Sequence, residues 1–250
     1  MITKIEEVFK PIKHEPPTNF YSKIKYFGRM ILDLQILTIH NDLKKELPKF
    51  NGKVLDIGCG NSPYKHMLNK SKTIYYGIDV NESVEFEYFN PNVIYFDGEK
   101  IPFSDESFDA IICTEVFEHV YNFQRLANEM HRVCKPNAKL IITIPFSARF
   151  HYIPHDYFRY TPSALEKIFS NFHKIEVKNR GTDVLSICSK IIVLFFRNII
   201  PDKFSKLILL PFWILSSPFI CLIILIAHLC YITNIGSNLD PIGYTIKLIK

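Results

Sequence analysis

Two groups of residues in this chain have the type and spacing to do chemistry. The first are acids that close short apolar runs: Asp56 in VLDIGCGNS, Asp79 in TIYYGIDV and Asp97 in VIYFDGEKIPF. Gly58 and Gly60 follow the first acid and Gly98 the third, at positions where a side chain would block the approach of backbone to a ligand. Asp79 lies 21 residues after Gly58, the separation at which a doubly wound fold places the acid that accepts hydrogen bonds from ribose hydroxyls. A nucleotide-sized guest is the expected ligand. The second group is crowded into ten positions, 151–160: His151, Tyr152, His155, Asp156, Tyr157, Arg159 and Tyr160. Histidine is the natural proton acceptor near neutral pH. Asp156 can orient His151 or His155, Arg159 can hold an anionic group, and Tyr157 and Tyr160 add acceptor contacts. His119 is a further candidate base, with packing against the following helix as its alternative.

These residues require strands that end together at one edge of a sheet. Continuous apolar runs predict strands at 54–57, 73–79, 92–96, 108–113 and 139–144, as in a parallel sheet covered on both faces. Asn61-Ser62-Pro63 predicts a helix to about Asn69, and a second helix is expected over 123–133, ended by Lys135-Pro136-Asn137. The polar loop leaves the carboxyl end of the fifth strand. Thr161-Pro162-Ser163 then opens a helix ending near Phe169, and a sixth strand follows at 173–181. Upstream, apolar residues at Ile24, Phe27, Ile31, Leu34 and Leu37 predict one or two helices between 20 and 47, lying over the sheet or, alternatively, facing a membrane; a short helix is possible before Pro11.

Dinucleotide enzymes and methyltransferases share the strand-end logic. Over residues 50–150, however, the chain resembles the class I S-adenosylmethionine-dependent methyltransferases in several places at once. VLDIGCGNS is similar to their first motif, IDV to their ribose acid, FDGEKIPFSDESFDAIICTEVFEHV to their third and fourth strands, and RVCKPNAKLIITIPF to the segment entering the fifth strand. Ser62 stands where the first motif has its third glycine, and Asn137-Ala138 where a glycine pair is usual; Ser is small and Asn tolerates a left-handed turn. The resemblance implies S-adenosylmethionine as cofactor. It assigns Asp56 to the cofactor site, where an acid can also brace the glycine turn through backbone amides, Gly58 and Gly60 to the methionine side, Asp79 to the ribose, Asp97 and Gly98 to the adenine side, and Glu115, or equally Glu118, to the opposite wall. A loop-cap role is the alternative for Asp97. HYIPHDYFRYT is similar to the lid of bacterial methyltransferases of glycan and polysaccharide assembly, which points to an oxygen acceptor. GYTIKLIK resembles the family's closing antiparallel strand.

The expected fold class is therefore α/β: a Rossmann-like, doubly wound, seven-stranded sheet, mostly parallel with an antiparallel last strand, and a helical hydrophobic insert between strands six and seven. The expected plan is an N-terminal helical lid at 1–48, a core at 49–183, the insert at 184–233 and the closing strand at 234–250. Within the insert, 26 residues from Leu207 to Ile232 include no Asp, Glu, Lys or Arg, more than the roughly 20 needed to cross a bilayer. Pro211 and Pro218 are expected to break this run. Because the chain must return to the sheet, a single crossing is excluded; a hairpin in the interface or two crossings remain, with Lys203 and Lys206 placed to meet anionic head groups.

The net charge of +5 sits entirely in residues 151–250, with 11 Lys or Arg against 6 Asp or Glu. A basic, apolar back end without a dense Lys/Arg tract favours a membrane surface and argues against nucleic acid. The six cysteines form no CxxC pair, so neither a disulfide framework nor a metal site is expected. The start of the chain contains no apolar core of signal-peptide length. These features point to the cytoplasmic face of a membrane and a small-molecule or lipid-linked acceptor, such as a glycan precursor, lipid head group or quinone. A non-catalytic, membrane-tethered module of the same fold is the competing reading.

Overall fold

The computed structural model describes residues 12–81, 90–200 and 204–250. The strands are β1 (Gly52–Ile57), β2 (Thr73–Val80), β3 (Val93–Phe96), β4 (Phe108–Thr114), β5 (Cys134–Pro145), β6 (Lys174–Arg180) and β7 (Gly243–Ile249), in one seven-stranded sheet of order β3-β2-β1-β4-β5-β7-β6. The first five run parallel, and β7 inserts antiparallel between β5 and β6. This is the expected fold class. Register places Asp56 beside Gly77 and Val80 beside Phe96, so the acids of β1, β2 and β3 emerge at the same carboxyl edge.

The helices are α1 (Phe20–Leu32), α2 (Leu34–Glu46), α3 (Phe123–Val133), α4 (Pro162–Ile168), α5 (Asp183–Ile199) and α6 (Phe204–Thr233). One face of the sheet is covered by α3 and α4, whose Leu126, Met130, Leu165 and Ile168 pack on Leu55, Ile111 and Ile142. The other is covered by α2 and the turn after it, through Ile39, Leu43 and Leu47 against Val54, Ile112 and Ile141. Asp42 of α2 fixes this docking, accepting from the Thr245 hydroxyl and from Lys178 Nζ, each at 2.8 Å.

The expected helix after Pro63 is replaced by a short 3-10 turn, Lys65–Met67. Ser62 takes a left-handed φ of 54°, while Tyr64 and Leu68 both bury in the cluster beneath α2, which already occupies that face. α3 has the expected span, but the residues expected to end it lie in a strand. Cys134 already pairs with Phe108, and Lys135-Pro136-Asn137 forms an irregularity inside β5, with Asn137 at φ 64°. The left-handed turn expected of Asn137 is what the backbone adopts.

The apolar insert is a helical hairpin, α5 against α6, and its two ends are tied together. Asp183 N–H donates to Ser237 O at 3.0 Å, Ser237 N–H returns to Asp183 Oδ1 at 2.8 Å, and Thr182 Oγ1 donates to Ile235 O at 2.7 Å. The proline break is not observed: α6 continues through Pro211 and Pro218. Leu207–Thr233 is long and apolar enough to cross a membrane by length and composition, with a mean hydropathy of 2.4, and of these residues Ile220, Ala227 and Cys230 are buried. Thirty residues of α-helix extend about 45 Å. By contrast α5 buries Leu185, Cys188, Ile192 and Phe195. α6 touches α1 where His228 Nε2 lies 3.0 Å from Ile31 O, and α1 itself exposes Phe20, Tyr21, Ile24, Phe27 and Ile31. Lys203 and the helix considered before Pro11 fall outside the described residues.

Candidate active site

β1 ends in a turn held against β2. Gly58 and Cys59 donate backbone N–H to Ile78 O at 2.9 and 3.2 Å. Gly58 sits at φ 66°, and a Cβ there would collide with Val116 of the loop after β4. Gly60, at φ 49°, donates its N–H to Asp79 Oδ2 at 2.8 Å, while Val80 N–H donates to Oδ1 at 2.9 Å. Each carboxylate oxygen offers about two lone-pair positions, so Asp79 keeps one per oxygen for a diol. Burial raises its pKa, opposed by the two amide donors.

An acid bracing the glycine turn through amides was the expectation for Asp56; the structure gives that part to Asp79. Asp56 instead accepts the Tyr75 hydroxyl at 2.7 Å, and that hydroxyl lies 2.9 Å from Ser62 Oγ. Burial pushes the Asp56 carboxyl up to about 7, with the Tyr75 hydrogen bond opposing and Asp79 adding to the rise. Asp97 is exposed at the end of β3 and caps its own loop, Oδ1 accepting from Glu99 N–H at 2.9 Å and Lys100 N–H at 3.4 Å, which lowers its pKa. Gly98 completes that turn at φ 75°. Glu115, at φ 53°, is held by Arg180 Nη2 at 2.8 Å, and the fully buried guanidinium also donates to Ile144 O at 3.1 Å.

The loop after β5 folds back over the turn Phe117–His119 that follows β4. His151 Nδ1 lies 2.9 Å from Arg149 O and 3.1 Å from Asp156 Oδ2, so Asp156 orients His151, as one of the two sequence alternatives had it. Asp156 is also gripped by both Nη atoms of Arg159, at 2.6 and 2.7 Å. Burial would raise the Asp156 carboxyl, but Arg159 and His151 outweigh it and hold the group well below the carboxylate range. The fork expected to take an anionic substrate is thus spent within the loop. Tyr160 is a further correction: it is 4% exposed, packs on Phe123 and Phe158, and its hydroxyl donates to Phe117 O at 3.1 Å, a core role rather than an acceptor contact. Tyr157 is exposed and its hydroxyl lies 3.1 Å from His155 Nδ1.

Sequence reasoning ranked His119 below the loop histidines, yet it lies at the centre of the arrangement. Its Nδ1 is 2.6 Å from His155 O, its ring packs 4.9 Å from that of His151, and burial together with His151 lowers its pKa to about 4. Glu118 beside it is fully buried, its carboxyl pushed far above the usual range by burial and by Glu115. The one signal in the sequence was the adjacency Glu118-His119 next to a strand end. Within the segment expected as a helical lid, a contact that the sequence did not single out is His14 stacked on Tyr26 at 4.6 Å, with the Tyr26 hydroxyl 2.9 Å from His40 Nδ1. Of the site residues described above, none lines a cavity of about 390 Å³ at the opposite sheet edge beside Asn51 and Asp109, and Arg180 lines one of about 100 Å³ beside Asp42.

A seven-stranded sheet in this order, carrying a glycine turn on β1 and an acid at the end of β2, is the class I methyltransferase fold. The comparisons agree. Residues 55–142 match the family described as a methyltransferase domain. A SAM-dependent methyltransferase of Archaeoglobus fulgidus superposes with a TM-score of 0.54 at 17% identity, covering 93% of this chain and 100% of that one, a likeness of fold. An uncharacterized protein of Methanocaldococcus jannaschii is 32% identical over 128 residues, 51% of this chain and 56% of the relative. A ubiquinone biosynthesis O-methyltransferase of Coxiella burnetii is 33% identical over 98 residues, 36% of this chain and 42% of the relative. The chain spans about half the length of the curated relatives it matches. Fold and motifs are those of the class I methyltransferases over the matched residues, and the left-handed glycine turn and the spare lone pairs of Asp79 fit S-adenosylmethionine.

Proposed function

We propose that this protein transfers a methyl group from S-adenosylmethionine to an oxygen of a membrane-borne acceptor at the cytoplasmic face of a membrane. The observation that carries the reading is Asp79, a buried carboxylate at the end of β2 that braces the glycine turn and retains acceptors for the ribose. Gly58 and Gly60 line the methionine side, with Asp56 buried beneath their turn, and Asp97, Gly98 and the wall near Glu115 complete the cofactor cleft. When bound, the cofactor supplies an electrophilic methyl on a sulfonium, already a good leaving group. The chain's own task is alignment and removal of the acceptor's proton. His119 and His151 both have Nδ1 beside a carbonyl oxygen, which assigns the N–H there and leaves Nε2 as the basic atom of each ring. Asp156 keeps His151 in place, and His155 and Tyr157 stand at the acceptor mouth.

The exposed apolar faces of α6 and α1 support the membrane-borne acceptor, since patches of this extent on a soluble monomer are rare. The segment 151–161 favours a lipid-linked glycan precursor; the similarity to a ubiquinone biosynthesis O-methyltransferase favours a quinone ring hydroxyl as the second reading. The test is purified protein in anionic lipid nanodiscs with methyl-labelled S-adenosylmethionine and membrane lipid extract. Label entering the organic phase is the expected result, and mass analysis of the product separates a glycan lipid from a quinone. Absence of S-adenosylmethionine binding by calorimetry would overturn the enzyme reading, and label confined to water-soluble products would overturn the membrane-borne acceptor.

A further inference from the structure

Glu118 is a buried acid, 0% exposed, and among the described residues neither of its carboxylate oxygens has a hydrogen-bond partner. Buried carboxyl groups require a partner, because an unsatisfied one carries a penalty of several kcal/mol. Two imidazoles face it. His119 Nε2 lies 3.6 Å from Glu118 Oε1, beyond hydrogen-bond reach. One ligand-type atom from each of Glu118, His119 and His151 falls within 4.8 Å of the other two. Three donors converging at that separation, without bonding one another, surround a point rather than form a network.

The second set of contacts strengthens the geometry. Histidines that bind metal commonly direct their other ring nitrogen to a carbonyl or carboxylate, which fixes tautomer and ring orientation. His119 does so through Nδ1 to His155 O at 2.6 Å, and His151 through Nδ1 to Arg149 O at 2.9 Å and Asp156 Oδ2 at 3.1 Å. Asp156 is in turn fixed by Arg159. The Asp156–Arg159 pair that is spent within the loop thereby gains a purpose: it holds one ligand in position.

We propose that Glu118, His119 and His151 form a binding site for a single divalent transition-metal ion, joining the turn after β4 to the loop after β5. Two imidazoles and one carboxylate suit Fe²⁺, Co²⁺, Mn²⁺ or Zn²⁺, whereas Ca²⁺ and Mg²⁺ prefer oxygen-only sets. Three protein ligands leave coordination positions open. Lying at the carboxyl edge of the sheet, the ion would polarise an acceptor oxygen and lower its pKa, so that the ligated imidazoles need not act as bases. The ligand set stands independently of the acceptor reading.

The test uses the whole chain with Co²⁺ as probe, followed by calorimetry and by the visible absorption of the protein-bound ion. The expected result is saturable one-to-one binding with a histidine-ligated spectrum, a rise in Tm with Co²⁺ but not with Ca²⁺, and binding weakened roughly 10–100-fold or more by His151→Ala and by Glu118→Gln. His151 belongs to a surface loop, so its variant carries the test if Glu118→Gln does not fold. No saturable binding, or binding unchanged in folded His151→Ala, would overturn the proposal. S-adenosylmethionine calorimetry on the same samples separates this failure from failure of the methyltransferase reading.

Discussion

Replacing Asp79 with Asn keeps the shape of the side chain and removes one of its two acceptor oxygens. Oδ2 accepts Gly60 N–H at 2.8 Å and Oδ1 accepts Val80 N–H at 2.9 Å, so an amide nitrogen in either position faces a backbone donor. One buried N–H then lacks a partner, at about 1–3 kcal/mol of stability. For a domain of this size that lowers Tm by roughly 2–12 °C. The effect on the ligand is separate. A hydrogen bond to a charged acceptor contributes about 1.5–3 kcal/mol, so loss of one ribose contact weakens S-adenosylmethionine binding roughly 10–150-fold. Calorimetry on the two proteins, well below either Tm, measures this directly. Burial raises the Asp79 pKa, and the ribose requires the carboxylate; wild-type affinity therefore declines on acidification at a higher pH than for an ordinary aspartate, and the Asn variant lacks that step. Affinity within about twofold of wild type in a folded Asp79→Asn protein would refute the assignment of the ribose to this strand end, since one full contact corresponds to tenfold or more.

Asp56→Asn tests the buried acid beneath the turn. With the folded carboxyl at about 7 and an unfolded one near 4, the folded state binds the extra proton between them, so wild-type stability falls as pH rises through that window and levels off above it, by about 4 kcal/mol in total. Urea unfolding should show the variant gaining on wild type by an amount of that order between pH 4 and 8, and parallel curves would contradict the burial argument. Glu115→Ala leaves the fully buried Arg180 without its counter-charge and should cost about 3 kcal/mol, the low end for a buried pair because Glu115 is 26% exposed. Adding Arg180→Met should restore part of that loss in the same assay. Leu215→Glu with Phe219→Glu alters side chains that are 75% and 68% exposed, so Tm in lipid-free buffer should hold while flotation with anionic vesicles is lost. Undiminished flotation would exclude α6 from the membrane contact.

The prolines of α6 mark one limit of local reading. A helix-interior proline removes one N–H and crowds the carbonyl four residues back, so Pro211 and Pro218 read as breaks. Two isolated defects in 30 residues did not outweigh the remaining ladder, and the Ser216 hydroxyl donates to Trp213 O at 2.8 Å beside the second one. The absent helix after Pro63 marks another. Its residues are compatible with a helix, but α2, from earlier in the chain, covers that face of the sheet and leaves room only for a turn.

What the sequence alone determined is local and periodic: the strands, the acids that end them, the glycine turn and the long uncharged stretch. A strand end requires only a short apolar run and its terminator, all within ten residues. What tertiary structure decided is pairing across distance. Tyr75, not a backbone amide, meets Asp56; Arg180 claims Glu115 from 65 residues away; and the loop after β5 returns His151 to Glu118 and His119. Those partners are set by how strands align side by side and how a loop folds back. Burial then determines which charged or polar groups must find one another, and residue order does not carry that information.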